Sequence, residues 1–388
     1  MKISLAYIPP EEERYNRSYP SFPPLGIGYI AAYLKKRKQS SSLYDVTYET
    51  DSWLIEKILE EEIDIAGFSA YPWNTETIIK ITDKLKEEKP SIKIILGGPD
   101  ASYNPEKYIK HNSIDGVYRG EGEKAFANMA EGKPVNLYTK KSKTNIQIIE
   151  NLEEIPSPYL EKIFNLEKYH IIPFQTHRGC VYKCKFCRWQ YPGPVRYYPL
   201  KQAALELEYL SQIRNLYVLQ CIDADFLYDK QYANQLLNHL IEKHVKFPQA
   251  NFEVYYENFD TETGSLMNKI ADSVIIAYGL ETSSPTILKS VGKRIDLKKF
   301  KRKIRETKNT GIKVQVNLLV GLPEQNWETV ERTIEYTKDL DPDRIVVNTV
   351  HRVNQPANRK KTTDYSSLPD IELKKIQEKV IKYLKKGF

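Results

Sequence analysis

Three of the chain's four cysteines, Cys180, Cys184 and Cys187, fall within eight positions of the stretch HRGCVYKCKFCRWQ. Four cysteines in 388 residues are too few for a disulfide framework, and three clustered ones in a reducing compartment read as ligands or reactive thiols. Four thiolates would close a zinc or iron-sulfur site, whereas three leave one metal position open for a substrate or cofactor. His177, three residues ahead of the first cysteine, offers a closed alternative: a Cys₃His zinc knuckle.

The elements around this stretch place it. IIPFQT, NLYVLQC, FEVYYEN, SVIIAYG, KVQVNLLV and RIVVNTV read as strands separated by helix-length segments. Six right-handed βα units in a row form a barrel or an open part of one, with chemistry at the carboxyl ends of the strands. The cysteines follow the first of these strands directly and so lie on the loop at that rim. Upstream, KISLAYI, LYDVTYE, DIAGFSA, IKIILGG and DGVYRG alternate with helical patterns at 25–38, 51–62, 74–88 and 122–131, which predicts a doubly wound parallel sheet. The expected organisation is a Rossmann-like domain over 1–135, a linker over 136–169, the βα array over 170–350 and a short helical region over 351–388.

Composition excludes little but narrows the setting. The net charge of +7 is spread among 51 acids rather than massed, which reads as a mildly basic solvated surface and not a nucleic-acid site. No run of about 18 apolar residues occurs, and MKISLAYIPP is too short and too soon broken by prolines for a signal peptide. The expectation is a cytoplasmic protein with no membrane partner.

CVYKCKFC is CxxxCxxC with the aromatic Phe186 before the last cysteine, and it resembles the cluster motif of radical S-adenosylmethionine (SAM) enzymes. That resemblance implies that Cys180, Cys184 and Cys187 hold a [4Fe-4S] cluster whose fourth iron is chelated by SAM. An electron from an external donor such as flavodoxin or ferredoxin would then release a 5'-deoxyadenosyl radical. YGLETSS at 278–284 and NLLVGLPEQNWET at 317–329 resemble the family's fourth and fifth strand ends. By that likeness Glu281 would meet the ribose hydroxyls, and Gly321, Leu322 and Pro323 would pack near the adenine; taken alone, GLP reads as a strand-ending turn. The family's usual Gly-Gly-Glu after strand two is replaced by QCIDADFLYD, where Asp223 or Asp225 would serve the SAM amine or cap the next helix.

FPPLGIGYIAAYLKKR, ILGGPDASYNPEKYI and DGVYRGEGEKAF resemble the cobalamin-binding domain carried upstream in one branch of that family, and the likeness runs from about residue 1 to 350. The implied fold class is α/β: a doubly wound domain of the B12-binding type followed by a partial (β/α)6 TIM-like barrel. Cobalamin would sit against Ser69, Tyr71, Gly97, Gly98 and Pro99, the two glycines allowing a corrin tail close to backbone. The Asp-x-His-x-x-Gly signature that supplies a lower axial histidine elsewhere is absent.

With both cofactors, the resemblance implies methylation of a carbon or phosphorus centre that is not nucleophilic, on a small metabolite or a peptide. Arg188 and Arg196 would hold an anionic substrate. Cys221, ending the second barrel strand, motivates an alternative without net methyl transfer: cyclisation, rearrangement or epimerisation in which its thiol returns a hydrogen atom to a substrate radical. A strand-end cysteine is more often a small buried hydrophobe. A zinc-stabilised binding protein is the reading from another class.

Overall fold

The computed structural model describes residues 1–10, 22–188, 191, 193–350, 375–378 and 380–381. The helix expected over 351–388 falls mostly outside the described residues, as do Trp189, Gln190 and Pro192 of the segment after the cysteines. The chain divides into two units: residues 1–172 with Ile213–Asn215, and the remainder of the chain from 173 to 350. Among the described residues no helix is long and apolar enough to cross a membrane.

In the first unit, β1 (Ile3–Tyr7), β2 (Ser41–Asp45), β3 (Ile65–Ser69), β4 (Lys93–Gly97) and β5 (Gly116–Val117) form one sheet in the order β2-β1-β3-β4-β5. All pairs are parallel. The central strands are apolar on both faces because helices cover both, which is why they read as near-continuous hydrophobic runs. Ala6, Phe68, Ile94 and Leu96 belong to one buried cluster with Leu54 and Ile58 of α2 (Asp51–Glu60) and Ile78, Ile81 and Leu85 of α3 (Thr75–Glu88). Elsewhere α1 (Leu25–Lys36) buries Ile27, Tyr29 and Leu34. Two short helices that the sequence pattern does not show, Gly98–Tyr103 and Pro105–Ile109, follow β4.

The expected linker is not a free tether. Phe164 lies where a side chain at Gly28 of α1 would sit, a Cβ there coming within 2.3 Å of its ring. Tyr169 donates a hydrogen bond to Asp45 at 2.8 Å, and Tyr138 pairs with Val117 at the end of β5. Buried Ile155, Tyr159 and Phe164 explain the attachment: this polar-looking stretch carries enough apolar area to pack on the first unit.

The second unit is a six-stranded sheet of β6 (Ile171–Phe174), β9 (Val218–Cys221), β10 (Phe247–Glu253), β11 (Ala271–Glu281), β12 (Lys313–Val320) and β13 (Arg344–Thr349), in sequential order. A small antiparallel ribbon of β7 (His177–Arg178) and β8 (Arg196–Tyr197) brackets the cysteine stretch. Helices between the strands complete the βα array, starting with Leu200–Leu210 and Lys230–Glu242. The third strand lies earlier than the pattern FEVYYEN predicts. It runs FPQANFE, and Tyr256–Asn258 is a 3₁₀ turn. Proline and three polar residues disguise the strand because Gln249, Asn251 and Glu253 alternate with buried Ala250 and Phe252.

That alternation exposes a polar inner face. Gln249 donates to Asn251 at 2.8 Å, Asn251 to Gln220 at 3.0 Å, and Gln315 to Asn317 at 2.8 Å. A closed barrel core is ordinarily filled by layers of branched apolar side chains; here amides line it instead.

Candidate active site

The cysteine loop is fixed on both flanks. On one side Lys185 N donates to Val291 O at 2.9 Å and its ammonium to Ser290 O at 2.6 Å. Phe186 packs against an apolar cluster of Ile287, Val291, Leu322 and Val350, so the aromatic of the cysteine motif and the leucine of the GLP turn meet on one patch. On the other side Tyr182 stacks on Tyr255, ring centroids 4.3 Å apart. Cys180 and Cys184 are half-buried and Cys187 is exposed. Burial pushes the Cys180 and Cys184 thiols up, Cys184 to about 11 despite the opposing charge of Lys293. Thiols so placed are neutral until a cationic centre takes their protons' place.

Both aspartates after the second strand are buried and hydrogen-bonded within the chain. Asp223 is fully buried and accepts from Thr176 N at 2.9 Å, Thr176 Oγ1 at 2.5 Å and His177 N at 3.2 Å. Asp225 is 2% exposed and accepts from Tyr182 Oη at 2.8 Å, Asn258 Nδ2 at 2.6 Å and Tyr255 N at 3.1 Å. Burial raises its pKa against those three donors. Asp223 therefore ties the end of the first strand to the second, and Asp225 ties the cysteine loop to the third.

His177 belongs to the same buried network. Its Nδ1 lies 3.5 Å from Asp223 Oδ2 and its ring 5.0 Å from that of Tyr197. It is thus turned onto Asp223 and the ribbon, which removes the closing ligand of a zinc knuckle. Among the described residues no three His, Cys, Asp or Glu side chains converge on a position for a single metal ion. A four-iron cluster spreads its cysteines over separate irons, so neighbouring thiols on one anchored loop fit it.

Glu281 ends β11 at a bulge, in the left-handed region at φ +66°. Its carboxylate meets Lys293 Nζ at 2.7 Å, both side chains being nearly buried. Gly279 makes room for the pair: a Cβ there would lie 2.4 Å from Glu281 Oε1 and 2.6 Å from Lys293 Nζ. Sequence reasoning singled out Glu281 but missed Lys293 and Glu253. Burial and the Glu281 charge push the Glu253 carboxyl up to about 7, with Lys293 pulling the other way. Asn317 Nδ2 reaches Glu253 Oε2 at 3.5 Å. An acid closing an alternation of otherwise neutral inner-face residues was the available signal.

Gly321, Leu322 and Pro323 are buried in a turn held by one side chain. Gln325 Oε1 accepts from Gly321 N at 2.7 Å and Leu322 N at 3.2 Å, while its Nε2 donates to Leu319 O at 3.1 Å.

Cys221 does not face the chemistry. Gln220 shares the inner face with Asn251, to which it is hydrogen-bonded, so the next residue falls on the opposite, helix-covered face with Leu219 and Phe252. It is fully buried, and burial raises its thiol pKa strongly. The strand period thus places Cys221 as the small buried side chain that a strand-end cysteine more often is. Arg196 is also buried, opposite Arg178 in the ribbon, with Nε 3.4 Å from Pro194 O. A ribbon position of this kind supports the cysteine stretch and does not offer an open anion site. Arg188 is half-buried and donates to Lys185 O and Cys187 O.

In the first unit, Ser69 and Tyr71 leave β3 and Gly97 ends β4, all at the carboxyl edge of the sheet. Gly97 is approachable, since an added Cβ would meet only Tyr118 O at 4.0 Å. Gly98 is not: at φ +87° an added Cβ would lie 2.8 Å from Ala70 N and O. Its missing side chain accommodates the neighbouring backbone of Ala70. Pro99 opens the six-residue helix that follows. Gly97 thus leaves backbone without a side chain at the carboxyl edge of the sheet.

Comparison with known proteins agrees with this geometry. Residues 16–130 match the family model described as B12 binding domain, and residues 174–337 match the Radical SAM superfamily. An uncharacterized methyltransferase of Pyrococcus horikoshii is 24% identical over 375 residues, covering 88% of this chain and 79% of that protein. The anaerobic magnesium-protoporphyrin IX monomethyl ester cyclase of Rubrivivax gelatinosus is 25% identical over 355 residues, 83% of this chain but only 63% of the cyclase. Among solved structures, the radical S-adenosylmethionine methyltransferase TsrM of Kitasatospora setae superposes with a TM-score of 0.73 at 17% identity, covering 89% of this chain and 72% of TsrM. At that identity the likeness is one of fold.

Proposed function

The chain belongs to the radical SAM enzymes that carry a B12-binding domain ahead of the radical SAM domain, and from this premise we propose that it methylates a carbon or phosphorus centre that is not nucleophilic. The observation that carries the reading is the pairing, in one chain, of an anchored three-cysteine loop with a doubly wound domain of the B12-binding family. When bound, the [4Fe-4S] cluster and SAM supply a 5'-deoxyadenosyl radical and cobalamin supplies a methyl group.

The chain's own residues position and insulate. Cys180, Cys184 and Cys187 ligate the cluster, and Lys185, Tyr182 and Asp225 hold their loop in place. Phe186 and Leu322 form an apolar wall beside it that excludes water. Glu281, held by Lys293, accepts from the ribose hydroxyls, and the Gly321–Pro323 turn lies toward the adenine. With Asp223 and Asp225 engaged, Glu253 is the inner-face carboxylate left for a cationic or hydroxyl group of SAM or substrate. Ser69, Tyr71, Gly97 and Pro99 face cobalamin.

The substrate is a small molecule, a metabolite or a segment of peptide, and its polar part suits the amide-lined inner face. Arg188, beside the cysteines, is the residue assigned to an anionic group of the substrate. Electrons come from an external one-electron donor such as flavodoxin or ferredoxin. A second reading, radical chemistry without net methyl transfer, is favoured by the likeness over 355 residues to a cyclase. Anaerobic reconstitution with iron, sulfide, cobalamin and SAM tests both. Retained corrinoid with 5'-deoxyadenosine release supports methylation, and release without corrinoid supports the second. One zinc per chain with no iron would overturn the radical mechanism.

A further inference from the structure

The positive charge that reads as spread over the chain is massed in one segment. Residues 289–305 hold nine lysines and arginines against the single acid Asp296, while the chain as a whole has 58 against 51. The other 371 residues therefore carry 49 against 50 and are close to neutral. The segment leaves the helix Pro285–Ser290 and runs into the helix Leu297–Asn309, which buries Phe300 and Ile304. Lys298, Arg302 and Arg305, at i, i+4 and i+7, stand exposed on its outer side.

Part of this charge is neutralised within the chain. Lys301 pairs with Asp339, Lys303 and Arg302 pair with Glu306 at 2.8 and 3.4 Å, and Lys293 is taken by Glu281. Lys289, Arg294, Lys298 and Arg305 are exposed and have no ion-pair partner among the described residues. Their segment abuts the cysteine loop. A Cβ added at Gly292 would come within 3.1 Å of Lys183 O, and Tyr255, stacked on Tyr182, donates to Arg294 O at 2.6 Å. Lys183 and Lys185 stand exposed on the loop itself, beside Val181, which is 40% exposed. Charge of one sign therefore borders the loop that carries exposed Cys187.

We propose that this basic face beside the cysteine loop is the docking surface for an acidic one-electron carrier protein; this rests on the cluster and external-donor reading above. Charge of one sign on one patch draws in and orients an acidic partner, and such redox encounters bury little area and dissolve again, as turnover of a carrier requires. Val181 supplies a small apolar centre inside the charged rim. Single-stranded nucleic acid suits the face poorly, because the one aromatic ring within 289–305, that of Phe300, is buried and leaves no surface for a base to stack on. In the docked pair the carrier is oxidised by one electron and the cluster reduced by one, with no proton or group transferred.

The test uses the full chain, reconstituted anaerobically with iron and sulfide, and two acidic probes, a flavodoxin and a ferredoxin. Wild type is compared with the triple variant Lys289→Glu, Arg294→Glu, Lys298→Glu and with a control, Lys201→Glu, Lys243→Glu, whose exposed lysines lie on the helices flanking the second barrel strand. Calorimetric titration at low salt is expected to show both carriers weakened about tenfold or more in the triple variant and less than about threefold in the control, with wild-type affinity falling steeply as salt rises. Cluster reduction by flavodoxin hydroquinone should slow about tenfold in the triple variant, while reduction by photoreduced deazariboflavin, small and uncharged, stays within about twofold of wild type. Equal carrier affinities in wild type and triple variant, or an equal loss in the control, would overturn the proposal. So would deazariboflavin reduction slowed as much as flavodoxin reduction, which would trace the effect to the cluster and not to docking. A single-stranded RNA oligonucleotide bound by wild type more tightly than either carrier would assign the face to nucleic acid instead. A wild-type chain that holds iron but binds neither carrier would bring down the external-donor reading, and one that holds no iron would bring down the cluster reading.

Discussion

The carboxylate of Glu281 and the ammonium of Lys293, twelve residues apart, meet at 2.7 Å in a space left by Gly279. A methyl group at 279 would intrude on both charged ends at once. With Glu281 assigned to the ribose as proposed, Gly279→Ala should displace its carboxylate and weaken SAM binding about tenfold, roughly 1.4 kcal/mol, while the barrel still folds. SAM affinity and far-ultraviolet circular dichroism, measured together, check both halves. Unchanged affinity would remove Glu281 from the SAM site.

The Glu253 carboxyl, pushed up to about 7 from an ordinary value of 4.5, carries a pH signature. Because its folded pKa lies above its unfolded one, its contribution is fully present below pH 4.5 and is lost as pH rises through 7. Wild type should thus lose stability between pH 5 and 8 relative to Glu253→Gln. The difference should be on the order of 2 kcal/mol or less, because the side chain keeps some solvent contact. Urea melts of both proteins at pH 5 and pH 8 measure it; parallel curves would show that the acid is not desolvated.

Thiol reactivity in the metal-free chain should be unequal. Cys184, raised to about 11, holds little thiolate at pH 8, while Cys187 is exposed. Iodoacetamide at pH 8 should label Cys187 well before Cys184, with the gap narrowing toward pH 10. Peptide mass spectrometry over a time course reads the order directly. Reconstitution with iron and sulfide should protect both.

Asp225 acts through Tyr182, and its replacement should reveal that. Asp225→Asn leaves the Tyr182 hydroxyl and the Tyr255 amide with a weaker acceptor, so iron retention by the loop should fall several-fold. SAM affinity per remaining cluster should stay within about threefold of wild type. A selective loss of SAM affinity with full iron content would return Asp225 to the role of amine ligand.

Cys221→Ala should leave 5'-deoxyadenosine formation and product identity unchanged and cost about 1 kcal/mol in stability through a small cavity on the helix-covered face. Altered product, with the fold intact, would reopen the hydrogen-donor reading.

Much of the site was legible from residue type and local spacing. Cysteines four and three positions apart share one loop, Gly279 and Glu281 belong to one strand end, and the doubly wound alternation fixes which edge of a sheet its glycines occupy. These are short-range properties, carried by periods of two and 3.6 residues and by turn chemistry. Helix and strand order follow from them. Partner choice across long separations does not.

Asp223 and Asp225 look alike in the sequence, two residues apart beside a helix start. Only the fold assigns one to Thr176 and His177 and the other to Tyr182, Tyr255 and Asn258, because those partners lie on the segments after the first and third barrel strands, which meet the end of the second in space. Cys221 reads equally as facing in or out until the register with Asn251 sets the face. Glu253 is hidden in a strand that the polar inner face disguises, and its raised pKa needs Glu281 and Lys293 from elements 28 and 40 residues later. Sequence by itself determined the βα order, the three closely spaced cysteines on one loop and the two α/β units, since each rests on local pattern. Tertiary structure alone decided which acids are spent on holding the loop and which remain for a ligand, because desolvation and charge pairing depend on distances that no spacing along the chain encodes.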